Sequence, residues 1–174
     1  MRSHSKPLLV VLALSSLVLG AAPPQADPKA EISDMDRQRL TMADIRNVGT
    51  AMFSWLTDQV GASAAGAQET EKATEKPVRL APYRVISTKE LKKLLVPQYL
   101  ERIPETDGWG HPYEFRLNVK DVLGRNVMMI RSPGRDGTYS AKKYSTHGFD
   151  PEDYDEDIVW ADGFFVRWPQ RGDR

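Results

Sequence analysis

Six carboxylates fall within eight positions of this chain: Asp150, Glu152, Asp153, Asp155, Glu156 and Asp157. Upstream stands Ser132-Pro133-Gly134-Arg135-Asp136-Gly137, a second acid in a turn-forming stretch. Close unit charges repel by about 1 kcal/mol per pair even in water. Such a run is therefore solvated, ion-paired or bound to a hard cation. Calcium accepts about six to eight oxygen ligands from carboxylates and backbone carbonyls in irregular loops. Arg135, Lys142 and Lys143 offer the competing arrangement, ion pairs on a solvated loop, and both readings stand at this point. An EF-hand is excluded. Counted from Asp153, Ile158 occupies the glycine position and Phe164 the position of the bidentate glutamate.

Acid–base chemistry has one further candidate, Asp107 with His111, inside Pro104-Glu105-Thr106-Asp107-Gly108-Trp109-Gly110-His111-Pro112-Tyr113. Turn formers around an aromatic read first as a rigid corner that buries Trp109 under a sheet. As a catalytic pair, Asp107 and His111 lack a nucleophile and a third orienting group. The absence of cysteine removes disulfides, thiolate nucleophiles and thiolate metal sites. His4, His111 and His147 occupy no metal-ligand spacing. With a formal net charge of zero, no global field draws the chain to nucleic acid or anionic lipid. These readings point to a non-enzymatic protein that binds, assembles or scaffolds.

The elements that must position these residues follow from periodicity. Met42, Ile45, Val48, Met52, Trp55 and Leu56 recur at helical steps, predicting one long helix from Ile32 to Val60 that lays this face on a sheet. Ser33 or Asp34 is its N-cap. Gly49 is its weak point, at about 1 kcal/mol against alanine. At about 40 Å such a helix outreaches a small domain, so one end is expected to pack elsewhere. Gly61–Pro77 lacks apolar period, and a mobile loop is expected over 61–82. Ser87-Thr88-Lys89-Glu90 fits a capping box opening a short helix with Leu91, Leu94 and Leu95 inward. Strands are predicted at Tyr113–Leu117 and Val127–Arg131, joined through Gly124 and Asn126, and at Ile158–Ala161 and Phe164–Trp168 around Asp162-Gly163. The class is α+β: a long helix on a small antiparallel sheet of three to four strands.

Ahead of this domain, Arg2, His4 and Lys6 precede the apolar run Leu8–Leu19 and then Gly20-Ala21-Ala22. That order reads as a secretory signal over residues 1–26, with one domain over 27–174. The run is short of the roughly 20 residues of a membrane span; an uncleaved inner-membrane anchor is the alternative. The expected location is periplasmic or extracytoplasmic, with membrane contact only if the run is retained.

Three stretches resemble the major pseudopilin of type II secretion systems, general secretion pathway protein G. They are Asp36–Arg39 with Asp44–Arg46 and Ala51–Phe53; Tyr99–Pro104 with Asp107, Trp109, Gly110 and Tyr113; and Ser132–Gly137 with Asp155–Ile158 and Trp160. The resemblance implies a pilin-like head and a calcium loop over 133–157. Its ligands would be Asp136 and Asp157, Asp155 or Glu156 in the neighbouring place, and carbonyls near Ser132 and Gly134. It also implies other protein subunits as partners, in a pseudopilus or secretion complex. The chain departs from the family in lacking its prepilin-type leader and in carrying Gly108 where the family has proline. The alternative expectation is a soluble periplasmic binding module that keeps the fold without polymerising.

Overall fold

The computed structural model describes residues 32–60, 78–80, 83–118 and 127–170, all within one unit, Ile32–Arg174. The stretch expected as an N-terminal signal, Gly61–Pro77 and the expected Gly124–Asn126 connection lie outside the described residues. Among those described, no helix is long and apolar enough to cross a membrane.

Helix α1 spans Asp34–Val60. Ser33 caps it: its Oγ accepts from the Asp36 N–H at 3.2 Å, and its carbonyl accepts from the Arg37 N–H at 2.9 Å. Asp34 and Asp36 place negative charge in the first turn, where the helix dipole favours it. Gln38, Thr41, Ile45, Val48, Met52 and Leu56 form the buried stripe, at steps of three and four. Trp55 and Met42 pack only partly buried at its margins. Gly49 is there for contact: a Cβ on it would stand 2.8 Å from the Trp160 indole.

The expectation that one end of α1 leaves the domain is corrected. At the N-terminal end, Trp109 Nε1 donates to Asp34 at 2.8 Å and Arg37 Nη1 to the Gly108 carbonyl at 2.9 Å. Near the other end, Tyr99 Oη donates to Asp58 at 2.8 Å. The corner at 104–113 and the segment after the second helix lengthen the surface beneath α1, so its length is used within one domain.

The remaining elements are β1 (Val78–Arg79), β2 (Arg84–Ile86), α2 (Thr88–Leu95), β3 (Glu114–Leu117), β4 (Met128–Ser132), β5 (Lys143–Tyr144), β6 (His147–Phe149), β7 (Ile158–Ala161) and β8 (Phe164–Pro169). Helix α2 opens on the expected capping box. Glu90 N–H donates to Ser87 Oγ at 3.2 Å and Ser87 N–H donates back to Glu90 at 2.8 Å. Asp162 and Gly163 turn the β7–β8 hairpin with φ of 47° and 106°, the positive values such turns demand. The sheet order is β2-β3-β4-β7-β8-β6, with β1 and β5 as a separate pair.

The α+β class stands, but the described sheet has six strands, where three to four are expected, and it is mixed, because β6 runs parallel to β8. The extra strands, β2 and β6, are three residues each, too short for a period to register. Likewise β1 adds order at 78–79, inside the stretch expected as loop.

Alternation along β4 assigns the two faces. Met128 and Ile130 join Ile45, Val48, Met52, Phe115 and Trp160 on the α1 side. Met129 joins Tyr83, Tyr144, Val159 and Val166 on the other, beneath the β1–β5 flap. With both faces covered, Met128, Met129 and Ile130 of β4 are all apolar, and its two polar residues, Arg131 and Ser132, are buried on hydrogen bonds to Glu114 and Asp107.

Candidate functional site

The strand register builds the candidate site. Ser132, at the end of β4, pairs with Ile158, at the start of β7, so the loop after Ser132 and the acidic loop before Ile158 emerge side by side, as the antiparallel order predicts. The two loops then lock. Gly134 has a φ of 72°, and a Cβ there would lie 2.7 Å from the Tyr154 carbonyl and 2.8 Å from that of Glu156. Arg135 N–H donates to the Tyr154 carbonyl at 2.8 Å.

Within this double loop the acids have different fates. Asp155 takes a two-pronged bond from Arg135, at 2.8 and 2.9 Å, which holds its carboxyl below the usual carboxylate range. Arg135 also reaches Asp34 of α1 at 3.4 Å. Glu156 pairs with Arg167 of β8. Exposed Asp136 accepts from the Thr138 N–H at 2.8 Å and so shapes its own turn.

Asp157 is different: it is fully buried. Its Oδ2 accepts from Ser140 N–H at 3.1 Å, Ser140 Oγ at 2.9 Å and Tyr144 Oη at 2.6 Å. Its Oδ1 is sealed from solvent and has no hydrogen-bond partner among the described residues. Burial pushes this carboxyl up against the lowering effect of those donors. A buried acceptor left unpaired costs about 1–3 kcal/mol, a cost that a donor or cation at Oδ1 would relieve.

The Asp107–His111 corner is engaged otherwise. Asp107 Oδ1 accepts from the Trp109 and His111 N–H groups at 3.0 and 2.9 Å, and Oδ2 from Ser132 Oγ at 2.6 Å. The His111 ring turns away, its Nδ1 lying 2.8 Å from the Gly134 carbonyl. Asp107 therefore holds the corner against β4, and His111 the corner against the double loop. Trp109 is partly buried, its ring 6.4 Å from that of Tyr154; the expected burial under the sheet is replaced by a position between α1 and the acidic loop. Gly108 has a packing reason: a Cβ would stand 2.2 Å from the Arg37 carbonyl, and its N–H donates to Thr41 Oγ1 at 2.9 Å, a bond proline cannot make.

Of the residues read from sequence as ligands, Ser132, Gly134, Asp136, Asp155, Glu156 and Asp157 all lie in or beside this double loop. Ser132 and Gly134 touch the corner, Asp155 and Glu156 face arginines, and Asp157 points inward. Among the described residues, no three His, Cys, Asp or Glu side chains form a group able to hold a metal ion. Sequence reading missed Ser140 and Tyr144, the partners of Asp157, and Arg167, the partner of Glu156. Of the counter-ions it weighed, Arg135 pairs with Asp155, whereas neither Lys142 nor Lys143 makes an ion pair to a described acid. The only signal available was the tyrosine and serine content of 139–144. The chain matches no known family model, no curated protein and no solved structure.

Proposed function

We propose that this chain is an exported, non-enzymatic structural or interaction domain of the pseudopilin-head type, whose paired loops are stiffened by calcium. The observation that carries the reading is Asp157: a fully buried carboxylate whose Oδ1 has no partner among the described residues, beside the place where two acid-bearing loops meet. Supporting it, the polar groups closest to chemistry hold loops in place. Asp107 ties the corner to Ser132, and His111 ties it to Gly134. Calcium here would draw on Asp157 and Asp136, with carbonyls of the 132–134 segment. Asp155 and Glu156 are the weaker candidates because arginines hold them. Bound calcium would neutralise the buried charge and fix one loop to the other.

The partners are other protein subunits, of a pseudopilus or secretion complex. A second reading, a soluble periplasmic binding module that does not polymerise, draws on the bonds that hold both ends of α1 to its own domain.

Melting curves test the calcium claim. A ligand of the folded state alone stabilises by about 2.7 kcal/mol at a hundredfold excess over Kd. Millimolar calcium should raise Tm, chelator should lower it, and magnesium should do much less, because it demands a tighter octahedral shell. Asp157→Ala and Asp136→Ala should each remove the response. Superimposed curves with calcium and chelator would overturn the proposal.

A further inference from the structure

The sheet face away from α1 carries a cleft of about 300 Å³, lined by Leu80, Arg116, Arg131, Tyr139, Ser140 and Lys142. Its floor is built from cross-strand neighbours: Glu114 of β3 stands opposite Arg131 of β4, and Arg116 lies two positions along on the same face. Arg131 is only 5% exposed. Its Nε donates to Glu114 at 2.8 Å, and its Nη1 to Tyr144 Oη at 2.8 Å and the Ala141 carbonyl at 3.1 Å. The Tyr139 ring covers the guanidinium at 3.7 Å.

These contacts leave donors over. Arg131 Nη2 has no partner among the described residues, yet it is not sealed in the core. Arg116 uses Nε on the same Glu114 oxygen and Nη1 on the Tyr83 carbonyl, which leaves its own Nη2. Lys142 pairs with no described acid and lines the same cleft. Cations here outnumber acids even when Asp157, behind Tyr144, is counted against them. A guanidinium held in place by a carboxylate, a carbonyl, a hydroxyl and an aromatic face presents its last edge without further ordering cost.

We propose that this cleft binds the oxyanion, phosphate or carboxylate, of a small molecule. Arg131 Nη2, Arg116 Nη2 and Lys142 Nζ are the donors and Leu80 is an apolar wall. Charge-assisted bonds of this type are the strong ones, and the volume sits at the lower end of small-molecule sites, which run from about 300 Å³. The inference does not rest on the calcium reading, and the assay is run with chelator present so that the two fail separately.

The full chain is titrated with inorganic phosphate, with succinate, and with sodium chloride at matched ionic strength, and followed by Tm and calorimetry. Phosphate, succinate or both should raise Tm saturably above the chloride control, and the stronger of the two identifies the anion. Lys142→Ala, at an exposed position, should leave the anion-free Tm unchanged and weaken binding about tenfold, the loss of one charge-assisted bond. If neither anion exceeds chloride, or if Lys142→Ala titrates like the parent chain, the cleft is not an anion site.

Discussion

On the α1 side of the sheet, Met128, Ile130, Phe115 and Trp160 meet Ile45, Val48 and Met52 in an apolar layer. On the far side, Met129, Val159 and Val166 share the surface with Glu114, Arg116, Arg131 and, at its end, Asp157. The first face is held by burial, which is non-directional and scales with apolar area. The second is held by hydrogen bonds whose failure leaves a charge without a partner in a poorly solvated place. The difference decides which substitutions each face tolerates: the first should accept apolar residues of similar volume, whereas the second should accept almost no single change at its arginines.

The largest effect should come from the apolar face. Phe115 is 1% exposed, and Phe115→Ala should cost about 3–5 kcal/mol in denaturant melts, with no dependence on pH. A loss under about 1 kcal/mol, ordinary for a surface site, would break the assignment of this face as the main core.

Glu114→Ala probes the other face. It removes the shared acceptor of Arg131 and Arg116 and strands a buried guanidinium, at a cost of about 3 kcal/mol. Burial opposes the charge on Glu114, but the bonds and charges of Arg131 and Arg116 outweigh it and hold the carboxyl below its usual range. The unfolded chain therefore takes up this proton first on acidification. The stabilisation is present above the ordinary glutamate range and is lost as pH falls through the folded value. Denaturant melts between about pH 5 and pH 3 should lose stability more steeply for the parent chain than for Glu114→Gln. Equal slopes would mean that the pair carries no net stability.

Legibility in the sequence follows the same division. The stripe Ile45, Val48 and Met52, the Ser87–Glu90 box and the Asp162-Gly163 turn each depend on local spacing, and each was readable. So was the meeting of the 132–137 and 150–157 loops, because it needs only antiparallel order. The helical period includes Trp55 in the stripe, yet it is only partly covered, since a period does not locate the edge of a face. The partners of the acids were not readable. Arg167 lies on a strand paired beyond β7, and Tyr144 on a two-residue strand; only the tertiary fold brings either to the carboxylate. Glu114-Phe115-Arg116-Leu117 did carry a signal, charges on one face of a strand against apolar residues on the other, and it marks the floor of the cleft.

Gly49 sharpens the comparison from inside the helix, with the smallest expected effect. In an isolated helix, Gly49→Ala would stabilise by about 1 kcal/mol. Here the added Cβ would stand 2.8 Å from two carbons of the Trp160 ring. Trp160 cannot swing aside, since it is 5% exposed and fixed on β7 opposite Ile130. Overpacking of this kind costs about 1–3 kcal/mol, which outweighs the propensity gain and leaves Gly49→Ala less stable by about 1 kcal/mol. Shrinking the ring should change the sign. In a Trp160→Phe background the benzo ring is gone, the methyl enters vacated space, and Gly49→Ala should recover part of the helix propensity. The double-mutant cycle then reads the contact directly, with a coupling of about 1–2 kcal/mol expected for touching residues. A stabilising Gly49→Ala in the parent chain would mean that α1 stands farther from β7 than this packing requires, and the apolar face would have to be held mainly through β4.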